Sequence, residues 1–287
     1  MMSAEKRRFC AVLLTTLWVA WTGSASAGTL ERIRHDKAIR LAYREDAPPF
    51  SYNDSSGMPA GFMVDLCDAV AKKLTQQLQL PALSVIYVPV TAVNRFEAIE
   101  QNKADLLCEP TSATLTRRAL VDFSIYTYLD GASLMIRLDG PQDLQAMSGQ
   151  KIGVLGNTTT EEALRDTLKD AGVTADVVLT KNHAEGLAML EAGTISAYFA
   201  DRDILTSLIN KSKAPEKLAV GADYLTIEPY ALALFHGDED FRLAVDRALS
   251  HIYRSGEIDR IYAHNFGDQT KPNTLLRSLF LSTGLPD

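Results

Sequence analysis

KIGVLGNTTTEEALRDTL, residues 151–168, decides how this chain divides. Residues 151–155 read as a short strand, and Gly156-Asn157 as the turn that ends it. Thr158-Thr159-Thr160-Glu161 then has capping-box spacing, which starts a helix over 158–168. The alternation continues, with strands expected at 175–180 and 195–200 and a helix at 183–192. A strand-turn-helix unit that begins afresh in mid-chain means that a second α/β layer is being built.

Upstream, a first layer is already complete. Strands are expected at 39–43, 85–90 and 105–108. Between them, Phe62, Leu66, Val70, Leu74 and Leu78 recur every four residues and mark one helix, and Val93, Phe96 and Ile99 mark another. Residues 46–56, with Pro48-Pro49 and Ser55-Ser56, read as turns. Alternating strands and helices predict a parallel sheet with crossover helices in each half. Beyond the second layer come a strand at 230–235, helices at 241–256 and 257–264, and a docking helix in the tail carrying Leu275, Leu276, Leu279 and Phe280. The expected architecture is α/β: two Rossmann-like lobes, 28–132 with 228–287 and 133–227. A hinge of two chain segments, near 130–136 and 225–230, joins them.

Residues 1–27 stand apart. Lys6, Arg7 and Arg8 precede an apolar run over 9–21, and Ala25-Ser26-Ala27 offers a small-x-small cleavage site. That order is a secretory signal peptide, and the run is too short to span a bilayer. Cys10 lies inside the run and not at the cleavage point, which argues against a lipid anchor. A soluble, exported mature chain is expected. The net charge of −7 becomes −9 once the basic leader is removed, which disfavours nucleic acid and anionic lipid as partners. Cys67 and Cys108 remain as an even pair. In an exported chain they are expected to form a disulfide, the alternative being two buried thiols.

Ligands of open α/β sheets bind beyond the carboxyl ends of the strands, and two donor-rich loops follow such ends. In CEPTSATLTRRALVDFS, residues 108–124, Arg117 offers a planar fork to a carboxylate, supported by Thr111 and Ser112; a surface arginine beside Arg118 is the alternative. At Thr158 and Thr159 a helix start offers free N–H groups and the positive end of a dipole, or else is an ordinary capped helix. Asp201 follows a strand, where it is placed to accept from an ammonium group or to cap a helix. Arg44 ends the first strand; it reads a second anion or pairs with Glu45 or Asp46. One lobe with an arginine and hydroxyls, facing another with a helix start and an aspartate, suits a small zwitterion.

Signals for catalysis are weak. The five histidines have no metal-ligand spacing, and there is no G-x-S-x-G, phosphate loop or C-x-x-C in the mature chain. No cofactor, no metal and no enzymatic activity are expected. His183 reads more readily as a solvated residue than as a base.

The motifs YREDAPPFSYND, GFMVDLC, ADLLCEPTSATLTRRALVDFS, KIGVLGNTTTEEAL, EAGTISAYFADRDIL and EPYALAL, taken in order over 28–268, resemble bacterial extracellular solute-binding proteins of family 3. These are periplasmic amino-acid receptors of ABC importers. The resemblance implies a type II periplasmic binding fold that closes about a hinge, a monomer, and an inner-membrane transporter permease as partner. It implies Arg117, Thr158 and Thr159 for the α-carboxylate, Ser112 as a contact, and Asp201 for the α-ammonium. The sequence is most similar to the glutamate/aspartate subgroup, which shares an arginine at Arg44, a cysteine at Cys108 and a histidine at His183. In that subgroup the first arginine meets a side-chain carboxylate. Glu109-Pro110 departs from a Gly-Ser pair common there, and Asn157 and Ala47 also depart. A buried Glu109 must pair with a cation, point outward or read the ligand. Two other readings remain: a cyclohexadienyl or arogenate dehydratase on a similar fold, with Glu109 as its only odd acid, and a detached amino-acid sensor.

Overall fold

The computed structural model describes residues 28–286, so the signal peptide expected at 1–27 lies outside the described residues. Two five-stranded sheets carry the architecture. In the first, Ala38–Arg44 lies between Ser84–Val90 and Leu106–Leu107, parallel to both. Glu228–Phe235 and Val121–Asp130 then extend the sheet antiparallel. In the second, Lys151–Leu155 lies between Asp176–Thr180 and Ala197–Asp201, again parallel to both. Ala132–Arg137 and Leu218–Val220 complete it antiparallel.

The parallel halves match the expectation; the antiparallel strands do not. They belong to the segments that pass between the lobes. Val121–Asp130 leaves the first sheet, and after Gly131 the chain enters the second as Ala132–Arg137. The return runs from Val220 to Glu228, and Glu228 pairs with Asp130. A connection that goes out and back through one hinge must lay its strands side by side in opposite senses. Gly131 sits where the two crossings touch, for a Cβ there would lie 2.3 Å from the Thr226 carbonyl oxygen. Only glycine permits that approach.

Residues 46–56, read as turns, instead join 59–60 in a small three-stranded sheet, from Asp46–Ala47, Ser51–Asn53 and Pro59–Ala60. Its Phe50 is fully buried and meets the rings of Phe62, Tyr128 and Tyr230 edge-on. The helix Phe62–Gln77 buries Phe62, Leu66, Val70 and Leu74 completely, as their spacing requires. The tail helix Thr274–Thr283 docks through Leu276 and Phe280, with Phe280 4.9 Å from the Tyr253 ring. Leu275 of the same helix stays exposed. Among the described residues no helix is long and apolar enough to cross a membrane.

Cys67 and Cys108 are joined, which ties the helix Phe62–Gln77 to the end of the third strand of the first sheet. The bond closes a sequence separation of 41 residues. For a loop of that length chain entropy predicts roughly 3–4 kcal/mol of stabilisation. Cys67→Ser with Cys108→Ser is therefore expected to lower the urea-unfolding free energy by about that amount, and dithiothreitol should destabilise the wild type but not the double variant.

Candidate functional site

The segment after Cys108 is held against the first sheet by backbone bonds. Thr111 O accepts from Ala231 N–H at 3.1 Å, and Ala113 N–H donates to Pro229 O at 2.8 Å. Ser112 is thereby fixed facing the second lobe. There, Thr158 caps the helix Thr159–Asp170. Its hydroxyl accepts from Glu161 N–H at 3.1 Å and donates to Leu155 O at 2.6 Å. Glu161 completes the box one residue early, by accepting from Asn157 N–H at 3.0 Å. Asn157 adopts a left-handed conformation with φ of 61°, which asparagine tolerates better than most residues.

The lobes meet at this helix start. Ser112 donates its hydroxyl to Thr159 Oγ1 at 3.2 Å, and Thr159 donates onward to Glu228 Oε2 at 3.1 Å. Arg95 Nη2 reaches across to Asn157 O at 3.3 Å. Between these bridges lies a cavity lined by Arg44, Ser112, Arg117, Thr158, Thr159, His183 and Asp201, all singled out in the sequence. Arg95, Pro110, Thr160 and Ile204 line it too and were not among the expected ligand contacts. The enclosed space is about 20 Å³, room for the centre of one or two water-sized groups. An amino acid enters this cleft only if the lobes part.

Thr111 is the one expected site residue that does not line the cavity. It is fully buried, and its hydroxyl donates to Glu109 Oε1. His183, expected to be solvated, is buried, with Nδ1 2.9 Å from the Tyr198 hydroxyl. Burial, and then repulsion from Arg44, push its imidazole down to about 3, so His183 is neutral and acts by hydrogen bonding alone. Asp201 occupies the N-cap position of the helix Arg202–Lys211 but makes no side-chain capping bond. The capping alternative thus fails, and the carboxylate is left for the cavity.

The charges are unevenly matched. Arg44 gives Nε and Nη2 to Asp46 Oδ1, at 2.8 and 2.6 Å. Arg95 Nη1 bonds Glu109 Oε1 at 2.9 Å, and Glu109 Oε2 lies 3.6 Å from Arg44 Nη1. Arg117 instead donates to the Ser112 carbonyl at 2.9 Å and stacks over Phe96. Burial, with repulsion from Arg95 second, lowers its guanidinium to about 10, the mark of a cation short of a counter-charge. Asp201 is the reverse case. Its Oδ1 is shut off from solvent without a hydrogen bond. Burial, then repulsion from Glu228, raises its carboxyl to about 7. One cavity thus holds a cation in want of a carboxylate and an acid in want of a cation.

Arg118, by contrast, is exposed and rests over Phe123. Arg95 escaped the sequence analysis because its helix, Arg95–Glu100, shows only an apolar periodicity in Phe96 and Ile99. Among the described residues no cluster of three or more acidic, histidine or cysteine side chains is placed to hold a metal.

Two α/β lobes closing on a cavity of matched but unspent charges define a binding protein of the cleft type. The chain belongs to the bacterial extracellular solute-binding proteins, family 3, which it matches over residues 39–268. An L-glutamate/L-aspartate-binding protein of Pseudomonas aeruginosa is 30% identical over 276 residues, spanning 93% of this chain and 91% of its own. The glutamate/aspartate import solute-binding protein of Salmonella typhimurium is 26% identical, over 91% and 87%. Among solved structures, an ancestral amino acid-binding protein described as a precursor of cyclohexadienyl dehydratase superposes with a TM-score of 0.72 at 25% identity, covering 84% of this chain and all of its own.

The Asp201 carboxyl binds its proton more tightly in the closed cleft than in water, where an aspartate sits near 3.8. Its burial therefore favours closure at low pH, and that contribution is lost as pH rises from about 4 through about 7. Ligand-free protein is expected to have a smaller radius of gyration in X-ray scattering at pH 5 than at pH 8. Asp201→Asn should shrink the difference, the rest resting on Asp130 and Asp203, whose carboxyls burial also raises.

Proposed function

We propose that this chain is an exported receptor that captures a polar α-amino acid between its lobes and presents the closed form to an inner-membrane ABC transporter. The observation that carries this reading is the pairing of Arg117, which lacks an acid, with Asp201, which lacks a cation, across one enclosed cavity. An α-carboxylate on Arg117 and the helix start at Thr159, with an α-ammonium on Asp201, satisfies both. The Ser112 hydroxyl can turn its proton from Thr159 to the same carboxylate, while the Thr158 hydroxyl, which donates to Leu155 O, holds the helix start in place. The carboxylate contacts draw on both lobes, Arg117 and Ser112 from one and the helix start at Thr159 from the other, so bound ligand favours closure and opening releases it.

The relatives' names put glutamate and aspartate first among the ligands to be tested, and point to the periplasm as the compartment. Glu109, the acid that a dehydratase reading would need, is turned to Arg95 and Arg44 and does not line the cavity. Capture without conversion is the better account.

A ligand at ~100 times its dissociation constant adds about 2.7 kcal/mol to the folded state. At least one common amino acid at ~1 mM should therefore raise the melting temperature by several degrees. Arg117→Ala, which removes the α-carboxylate partner, should abolish the shift for every one of them while leaving the ligand-free melting temperature within a few degrees. If none of the twenty stabilises the wild type, or if it turns over prephenate or arogenate, capture is the wrong reading.

A further inference from the structure

Three guanidiniums line the cavity, and two of them already have acids of the chain's own. Arg44 is held by Asp46 through two hydrogen bonds. Arg95 is held by Glu109, whose second oxygen lies 3.6 Å from Arg44. Glu109 is wholly buried, and Thr111, itself wholly buried, gives it a further hydroxyl bond. Its carboxylate thus sits between the two arginines and does not line the cavity; Oε2, near Arg44, makes no hydrogen bond. Pro110, which follows, lines the cavity and brings no N–H to it.

We infer that Glu109 is a specificity-determining residue, a built-in carboxylate that occupies Arg44 and Arg95 and sets the site for α-amino acids with an uncharged, hydrogen-bonding side chain, the carboxamides above all. The inference rests on the amino-acid reading proposed above and narrows its ligand class.

The charge balance carries it. Around the cavity Arg44, Arg95 and Arg117 face Asp46, Glu109, Asp201 and Glu228. A neutral zwitterion closes the gaps at Arg117 and Asp201 and adds no net charge. A side-chain carboxylate would add one more anion to a desolvated space where the acids already equal or outnumber the bases, and it would have to displace Asp46 or Glu109 to find a cation. A side-chain ammonium or guanidinium would face Arg44 and Arg95 directly. What remains on offer is uncharged chemistry. Arg95 Nε is a buried donor with no hydrogen bond, suited to a carbonyl or hydroxyl oxygen. His183 is a neutral imidazole on the same wall.

The test is calorimetric titration of unfolded-and-refolded, ligand-free protein with glutamine, asparagine, glutamate and aspartate at pH 7.5, followed by the other common amino acids. The wild type should bind one of the amides at least tenfold more tightly than either acid. Glu109→Gln keeps the shape and removes the charge, freeing Arg44 and Arg95; it should shift the acid-to-amide preference at least tenfold toward the acids. Wild-type preference for glutamate or aspartate, or for any charged amino acid, overturns the inference and leaves amino-acid capture standing. So does an unchanged preference in folded Glu109→Gln. Should that variant fail to fold, the wild-type ordering decides alone. Silence from all twenty amino acids overturns amino-acid capture, and this inference with it.

Discussion

The site depends on one imbalance: Arg117 is set into a half-buried cleft beside another arginine, with only a backbone carbonyl and an aromatic face for company. A guanidinium in low dielectric without an acid is expensive to hold. The fold bears that expense because the segment 111–113 is stitched to the strand Glu228–Phe235 by backbone bonds, and relaxation of the loop would break them. The cation is therefore kept where an anion from outside can reach it. Arg44 and Arg95 lie on the same wall but are matched internally, so they shape the cavity without calling for a ligand charge.

Position follows from scaffold. The disulfide fixes Cys108 to the first long helix, and Glu109 comes next in the chain, so the carboxylate between Arg44 and Arg95 has little freedom to swing into the cavity. Arg44 closes the first strand, and its backbone N–H is bonded to the Ser51 hydroxyl at 2.9 Å. Opposite, the N-cap at Thr158 and the strand end at Asp201 are carried by adjacent strands of the second sheet. Every charged group at the site hangs from the end of a strand or the start of a helix, which is where a sheet-based fold holds side chains most firmly.

Local pattern carried the sequence analysis a long way. Strands such as 151–155 and helices such as 62–77 declare themselves by period and caps, and Arg117 and Asp201 stand out as charges at strand ends. The losses have a common cause, for each depends on what packs beside a segment rather than on the segment itself. VDFSIYTYLD, which forms the strand Val121–Asp130, has polar residues on both faces because it runs along the hinge. The expected turns of 46–56 include short strands, and Phe50 between them fills an aromatic pocket. Arg95 lies in a helix marked only by apolar residues, and Glu109, the acid that holds it, lies 14 residues on. Buried ion pairs between distant residues leave no periodic trace, so neither partner could be read alone.

In a receptor of the kind proposed, acids at the hinge would give the closing motion its selectivity. Asp130, Asp201 and Asp203 all have carboxyls raised above the ordinary aspartate range, each chiefly by burial. Asp130 takes the N–H of Asp203 at 3.2 Å and pairs across the hinge with Glu228. Closing the lobes at neutral pH gathers these carboxylates and strips their water, so closure without a ligand works against itself. A ligand shifts such an equilibrium only by the difference in its affinity for the two states. An ammonium group has that difference built in, because it is worth little in the open, hydrated cleft and much against acids that have just lost their water. A bare carboxylic acid would satisfy Arg117 and leave the acids unrelieved. The repulsion at the hinge thus makes closure answer to both ends of the amino acid at once.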